Sequence, residues 1–199
     1  MQLVERFRQS SIPAPFYWYN QPARYEVGEG LAIFTDEKTD FWQRTHYGFR
    51  SDNGHCLFAR VSGDFSLTAH VEFRPRAQYD QCGLMVRVDR DNWIKLSTEY
   101  ENETWSRLGS VVTNLGFSDW ATQDIPSSHR ATWYRISRSG PDFLLEHSRD
   151  GQQWLQLRVT HLHKTPEQLE AGVYACSPIG KDFWCRFGVV EISENEWGQ

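Results

Sequence analysis

Phe65-Ser-Leu-Thr-Ala-His-Val-Glu-Phe73 alternates without a break. Phe65, Leu67, Ala69, Val71 and Phe73 fall on one face, and Ser66, Thr68, His70 and Glu72 on the other. Successive strand side chains point to opposite faces, so this period of two marks a half-buried antiparallel strand. Residues 82–89 repeat the pattern, with Leu84, Val86 and Val88 inward and Met85, Arg87 and Asp89 outward. After a short Arg90-Asp91 turn, residues 93–100 set Ile94 and Leu96 against Trp93, Lys95, Ser97 and Glu99. Further strands are expected near 31–35, 55–61, 106–114, 118–125, 132–138, 142–148, 153–161, 171–177 and 184–192. Turn chemistry separates them. Asp150-Gly151 suits the positive φ angles of a type I′ hairpin turn, and Ser139-Gly140-Pro141-Asp142 and Ser62-Gly63-Asp64 are weaker signals of the same kind. Helix is scarce: residues 2–9 allow two turns, and Thr165-Pro166-Glu167-Gln168 reads as a capping box with proline in the first turn. About a dozen short strands divided by turns predict an all-β sandwich or barrel with one or two short helices. No linker, repeat or low-complexity stretch divides the chain, so one domain is expected over 1–199, with 10–26 (Pro13, Pro15, Pro22) as an extended strap.

The chain has 199 residues, and its 12 Phe, 9 Trp and 8 Tyr supply enough apolar surface for a sizeable core. A net charge of −5 without a Lys/Arg block argues against a nucleic-acid partner. No apolar run approaches the length needed to span a bilayer, so no membrane partner is expected. Glu5, Arg6 and Arg8 stand where a secretory signal would be apolar, which makes a cytoplasmic protein the expectation. Cys56, Cys82, Cys176 and Cys185 have no CxxC spacing and read as buried free thiols. Pairing of Cys176 with Cys185 across a hairpin stays open.

Four groups of residues bear chemistry. Glu99, Glu101 and Glu103 would share one face of a strand, but Glu101-Asn102-Glu103 reads as a solvated loop between 92–100 and 104–114. The polar face of the central strands joins Arg87, Trp93, Lys95, Ser97 and Glu99. Asp80 and Gln81 lead into it, and Ser118, Asp119 and Trp120 reach it from nearby. Sugars want such a mixture: a flat aromatic for the ring, with charged and amide groups for the hydroxyls. Ordinary cross-strand ion pairs, Lys95–Glu99 and Arg87–Glu99, would account for the same residues. His161-Leu-His163 lacks an acidic third ligand, and the other histidines are scattered, so no metal or other cofactor is expected. No nucleophile elbow or phosphate loop occurs. Phe16–Asn20 (FYWYN) and Asp40-Phe41-Trp42 would line a cleft rim or cap one end of the sandwich.

These motifs also occur together. Phe16–Pro22 (FYWYNQP), Asp40–Gln43 (DFWQ), Tyr79–Met85 (YDQCGLM), Asn92–Lys95 (NWIK) and Glu99-Tyr100 appear in order. Ser110–Thr113 (SVVT), Ser118–Trp120 (SDW), Ser148–Gly151 (SRDG) with Trp154, and Gly172–Pro178 (GVYACSP) follow them. Over roughly residues 12–192 the chain resembles an uncharacterised family of the "regulation of enolase protein" type, within the concanavalin A-like lectin/glucanase superfamily. The resemblance implies a two-sheet antiparallel jelly roll with a concave face, similar to sandwich modules carried by some β-xylosidases. Asp80, Gln81, Trp93, Lys95, Glu99, Ser118, Asp119 and Trp120 fall within its motifs. Jelly-roll glucanases of that superfamily carry a carboxylate-apolar-carboxylate strand, from which this chain departs at Tyr100 and Asn102.

Three functions follow as expectations. The first is a non-catalytic module binding a carbohydrate or glycosylated small molecule through Asp80, Gln81, Arg87, Trp93, Lys95, Glu99, Asp119 and Trp120, with Trp93 stacking on the sugar. The second is a protein-interaction module acting on a metabolic enzyme, with exposed aromatics at 16–19 and 41–42. The third is a glycoside hydrolase pairing Glu99 with Asp80 or Asp119, which requires two carboxyl groups within ~5–10 Å across an open cleft.

Overall fold

A computed structural model describes residues 2–198. In chain order the strands are β1 (Leu3–Glu5), β2 (Tyr17–Tyr19), β3 (Arg24–Val27), β4 (Leu31–Phe34), β5 (Phe41–Gln43) and β6 (Arg50–Asp52). Then come β7 (His55–Ser62), β8 (Phe65–Arg74), β9 (Gln81–Asp89), β10 (Asn92–Tyr100), β11 (Trp105–Asn114) and β12 (Phe117–Pro126). The last five are β13 (Ala131–Ser139), β14 (Asp142–Ser148), β15 (Leu155–His161), β16 (Gln168–Cys176) and β17 (Trp184–Ser193). One sheet runs β15-β14-β13-β8-β17-β4-β3, with β1 also on β17; the second runs β12-β11-β10-β9-β16-β7-β2. β5 and β6 form a separate two-stranded hairpin. All pairings are antiparallel, and the two large sheets make a β-sandwich.

The decisive alternation holds. Phe65, Leu67, Ala69, Val71 and Phe73 are sealed between the sheets, where they meet Leu84, Val86, Ile94, Leu96 and Val173 of the opposite layer. Burying each such side chain fully stabilises the fold by about 1.5–3 kcal/mol before chain entropy is counted.

The expected helices do not form among the described residues. Residues 2–9 are too few to hold an isolated helix, and Leu3–Glu5 instead take hydrogen bonds from the open edge of β17 beside β4. At the supposed cap, the Thr165 hydroxyl donates backward to the Leu162 carbonyl (2.9 Å) rather than forward. The Arg138 guanidinium then holds the carbonyls of Pro166 and Glu167, and Gln168 starts a strand.

Two turn readings also change. Ser62-Gly63-Asp64 is a corner between sheets, because β7 and β8 lie in different layers. The β14–β15 connection is a six-residue loop in which the Asp150 carboxylate accepts from the Gln152 and Gln153 amides; only Gly151 takes positive φ there. The two-residue turn with both φ angles positive is Leu115-Gly116 (52° and 78°), a pair whose leucine hides the signal. Cys176 and Cys185 sit in different sheets and on different faces, Cys185 in the main core and Cys176 outside it. All four cysteines are buried and free. The segment expected as a strap carries β2 and most of β3, which edge the two sheets, so it passes across one side of the sandwich.

Candidate functional site

Strand register builds the outer face of the β12-to-β2 sheet, the one turned away from the opposite sheet, in rows. Cys176, Gln81, Glu99 and Arg107 lie side by side across β16, β9, β10 and β11. The next row is Tyr174, Gly83, Ser97 and Gly109, followed by Gly172, Met85, Lys95, Val111 and Trp120. Glu170, Arg87, Trp93, Thr113 and Ser118 form the fourth. Between the Glu99 and Lys95 rows, beside Ser97 and Gly109, a cavity of only about 10 Å³ remains.

Over the Lys95 and Trp93 rows sits the β5–β6 hairpin. Phe41 and Trp42 pack on Cys56, Phe58, Met85, Trp93, Val111, Tyr174 and Cys176 as a second apolar cluster. The Gln43 backbone N–H donates to Ser118 Oγ (2.9 Å), and Arg50 is tied to Gln43 and Asp91. The hairpin, not the N-terminal strap, therefore covers this part of the outer face. What stays open is a cleft of about 550 Å³, with Gln81, Lys95 and Glu99 on the floor, Asp40, Trp42 and Tyr47 on the hairpin side, and Tyr79 and Trp120 opposite.

Hydrogen bonds on the floor form one connected set. Lys95 Nζ donates to the Phe41 carbonyl (3.0 Å) and to Gln81 Oε1 (2.8 Å), with Asp40 Oδ1 at 3.7 Å. Tyr174 also donates to Gln81 Oε1 (3.1 Å). The Gln81 amide in turn donates to Glu99 Oε2 (2.8 Å) and to the Tyr79 carbonyl (3.2 Å). Burial pushes the Glu99 carboxyl up to about 7; Lys95 opposes the rise, while Asp40 and Glu101 add to it. Glu99 bonds Gln81 rather than pairing with Lys95 or Arg87, so the cross-strand ion pairs expected there are absent among the described residues.

Of the eight expected site residues, Gln81, Lys95, Glu99 and Trp120 meet at the cleft. The other four lie elsewhere. Trp93 is fully buried under Phe41 (ring centroids 6.1 Å), its indole N–H on the Arg90 carbonyl, so it has no free face for a sugar. Arg87 is held by Asp52, Glu170 and the Tyr19 ring, beyond the hairpin from the cleft. Asp80 is a buried clamp: its carboxylate takes the Arg76 and Ala77 amides (2.7 and 2.9 Å) and the Ser177 hydroxyl. Asp119 points away from Trp120 and pairs with Arg158 at 2.9 Å. Neither Asp80 nor Asp119 thus shares the cleft with Glu99, and Asp40 is the second carboxylate that does.

Sequence reasoning passed over Lys38, Tyr47, Phe49 and Tyr79 of the lining. The flanking signals existed, since Gly48 and Asn53-Gly54 bracket two short polar-aromatic runs as a hairpin would. No group of three or more His, Cys, Asp or Glu among the described residues could hold a metal ion.

Comparison with known proteins places this geometry. The family described as "Protein of unknown function (DUF1349)" matches residues 18–195. The chain belongs to this family. A relative, "Regulation of enolase protein 1" of Saccharomyces cerevisiae, is 32% identical over 181 residues, covering 90% of this chain and 86% of the relative. A crystal structure of a functionally unknown protein from the same yeast superposes with a TM-score of 0.77 at 31% identity, covering 90% of this chain and 93% of that one. The GH43 protein BlXynB (K247S mutant) from Bacillus licheniformis also reaches 0.77, at 14% identity; 96% of this chain matches 39% of that one. At that identity the likeness is one of fold. The DUF1349 chain is thus a two-sheet antiparallel β-sandwich that shares its fold with these neighbours. No helix among its described residues is long and apolar enough to cross a membrane.

Proposed function

We propose that the protein is a non-catalytic binding module whose concave cleft holds a carbohydrate or glycosylated small molecule. One observation carries the reading: a floor of hydrogen-bonding groups, Gln81, Lys95 and Glu99, lies beneath part-exposed rings of Tyr79, Tyr47 and Trp120. Rings provide stacking faces, and Glu99, held in place by Gln81 and Lys95, meets the ligand's polar groups from the floor. Trp120 (38% exposed) takes the stacking role that Trp93 cannot fill.

A thermal-shift screen against mono- and oligosaccharides tests it. Ligand at about 100 times its dissociation constant adds ~2.7 kcal/mol, a shift of several degrees in a domain of this size. We expect a shift with one sugar class that Trp120→Ala abolishes. A flat panel, or a shift that survives Trp120→Ala, overturns the reading.

A second reading is a protein-interaction module acting on a metabolic enzyme. It is favoured by the name of the yeast relative and by exposed apolar side chains at the cleft mouth, Tyr47, Phe49 and Ile179. It predicts a stoichiometric complex with enolase on size-exclusion chromatography that Phe49→Ser and Ile179→Ser weaken together. Separate elution at micromolar concentrations of each protein removes it.

A further inference from the structure

We propose that the cleft takes a sugar acid, a hexuronate or similar carboxylate-bearing sugar, with Glu99 donating a hydrogen bond to the ligand carboxylate and Lys38 supplying the attracting charge. The inference rests on the carbohydrate-binding reading above and narrows it to one chemical class.

Hydrogen-bond capacity on the floor comes first. An amide side chain has two donors and two acceptor lone pairs. Gln81 has used them all, on Lys95, Tyr174, Glu99 and the Tyr79 carbonyl. Lys95 is committed to the Phe41 carbonyl and Gln81, with its remaining reach toward Asp40. Glu99 differs. Its Oε2 is occupied by Gln81, while no protein group among the described residues bonds Oε1, and that atom is not sealed from solvent. Glu99 Oε1 is therefore the floor atom left to meet a ligand. Gln81 and Lys95 are positioning residues: they fix which Glu99 oxygen faces the cleft.

Charge comes second. The lining holds three cations, Lys38, Arg50 and Lys95, and two carboxyl groups, Asp40 and Glu99. Arg50 is paired with Asp91, and Lys95 lies against Asp40. Lys38 makes no ion pair among the described residues and is exposed at the mouth. The charged and titratable groups around Glu99 are Lys95 on its own strand, Asp40 from the approach to β5, Glu101 and Arg107 beside it, and Tyr174 and Cys176 from β16. Arg107 is itself taken by Glu101 at 3.0 Å. With Glu99 neutral, as its raised titration near 7 favours, the cleft carries an uncompensated positive charge and a carboxyl O–H at its base. A carboxylate ligand satisfies both. A carboxyl–carboxylate contact forms only when one of the two groups holds the proton, so binding above the Glu99 titration must take up a proton.

D-Glucuronate and D-glucose, which differ in a carboxylate against a hydroxymethyl group, are suitable probes. Calorimetry at pH 6 to 8.5, in two buffers of unlike ionisation enthalpy, reads affinity and proton uptake on the unmodified protein. We expect glucuronate to bind at least about tenfold tighter than glucose at pH 6. Its affinity should fall by up to about tenfold per pH unit above 7, with close to one proton taken up per ligand at pH 8. In Glu99→Gln, whose amide remains a donor, affinity should stop depending on pH. Lys38→Ala, an exposed change, should shrink the preference for glucuronate over glucose. Equal affinity for the two sugars, or glucuronate binding without proton uptake, overturns this inference and leaves the carbohydrate reading standing. Binding of neither glucuronate, glucose nor any oligosaccharide of the screen overturns both.

Discussion

Glu99 shows how one side chain can couple the site to the stability of the fold. Its carboxyl titrates near 7 in the folded protein against an ordinary value of 4.5. Below about pH 4.5 the group is protonated whether the chain is folded or not, and its full contribution to stability is present. As pH rises, the unfolded chain releases the proton first, so stability falls until the folded group titrates near 7. The whole effect is roughly 3 kcal/mol. Other carboxylates change stability in the acid range too, so the check is the difference between wild type and Glu99→Gln. Urea midpoints from pH 4.5 to 8 should show the variant gaining on wild type as pH rises, with the gap level above about 7.5. Trp93 serves the opposite end: Trp93→Ala should cost about 3–5 kcal/mol in the same assay, because a sealed indole leaves a cavity. Alternation placed Trp93, Lys95 and Glu99 correctly on one face. It could not distinguish an open part of that face from a covered one, since the cover is a hairpin more than forty residues earlier in the chain. Asp80 misled for a related reason: a carboxylate beside a strand reads alike whether it faces a ligand or its own loop amides.

At the scale of elements, the strands visible in sequence were those whose two faces differ in polarity, such as β8, β9 and β10. β1, β2, β3, β5 and β6 were not expected as strands, because three or four residues are too few to display a period. Their formation depends on an edge or a covering surface made elsewhere in the chain. The floor row of Gly83, Ser97 and Gly109 makes a test of element pairing. A Cβ added at Gly109 would stand 2.1 Å from the Ala121 carbonyl oxygen, in the backbone of β12. Gly109→Ala should therefore destabilise by about 1–3 kcal/mol, and amide exchange should quicken along β11–β12 more than in β8 or β17. Ser97→Val should also lower the melting midpoint, because Ser97 is buried and its hydroxyl bonds Tyr174.

For the whole molecule, the two faces of the β12-to-β2 sheet behave unequally. One face is covered by the opposite sheet, and the other by a hairpin over part of its length. The four cysteines sit within these layers, at 0% exposure. Burial raises the thiols of Cys56, Cys82 and Cys176 well above the ordinary range, which keeps them out of the nucleophilic thiolate form. A thiol reagent added to native protein should label none within minutes and all four in guanidinium; prompt labelling of Cys56 or Cys176 would show that the hairpin lifts from its sheet.

That hairpin is pinned at its strands and exposed at its tip. Its roots are Phe41 against Trp93, the Gln43 backbone N–H on Ser118 and Arg50 on Asp91, while residues 44–49 project with Tyr47 and Phe49 more than 45% exposed. Mutational drift in the tip touches neither the anchoring bonds nor the floor. The same scaffold can accordingly exchange its mouth while retaining its base, and descendants of one ancestral sequence could diverge in what they admit without first having to refold.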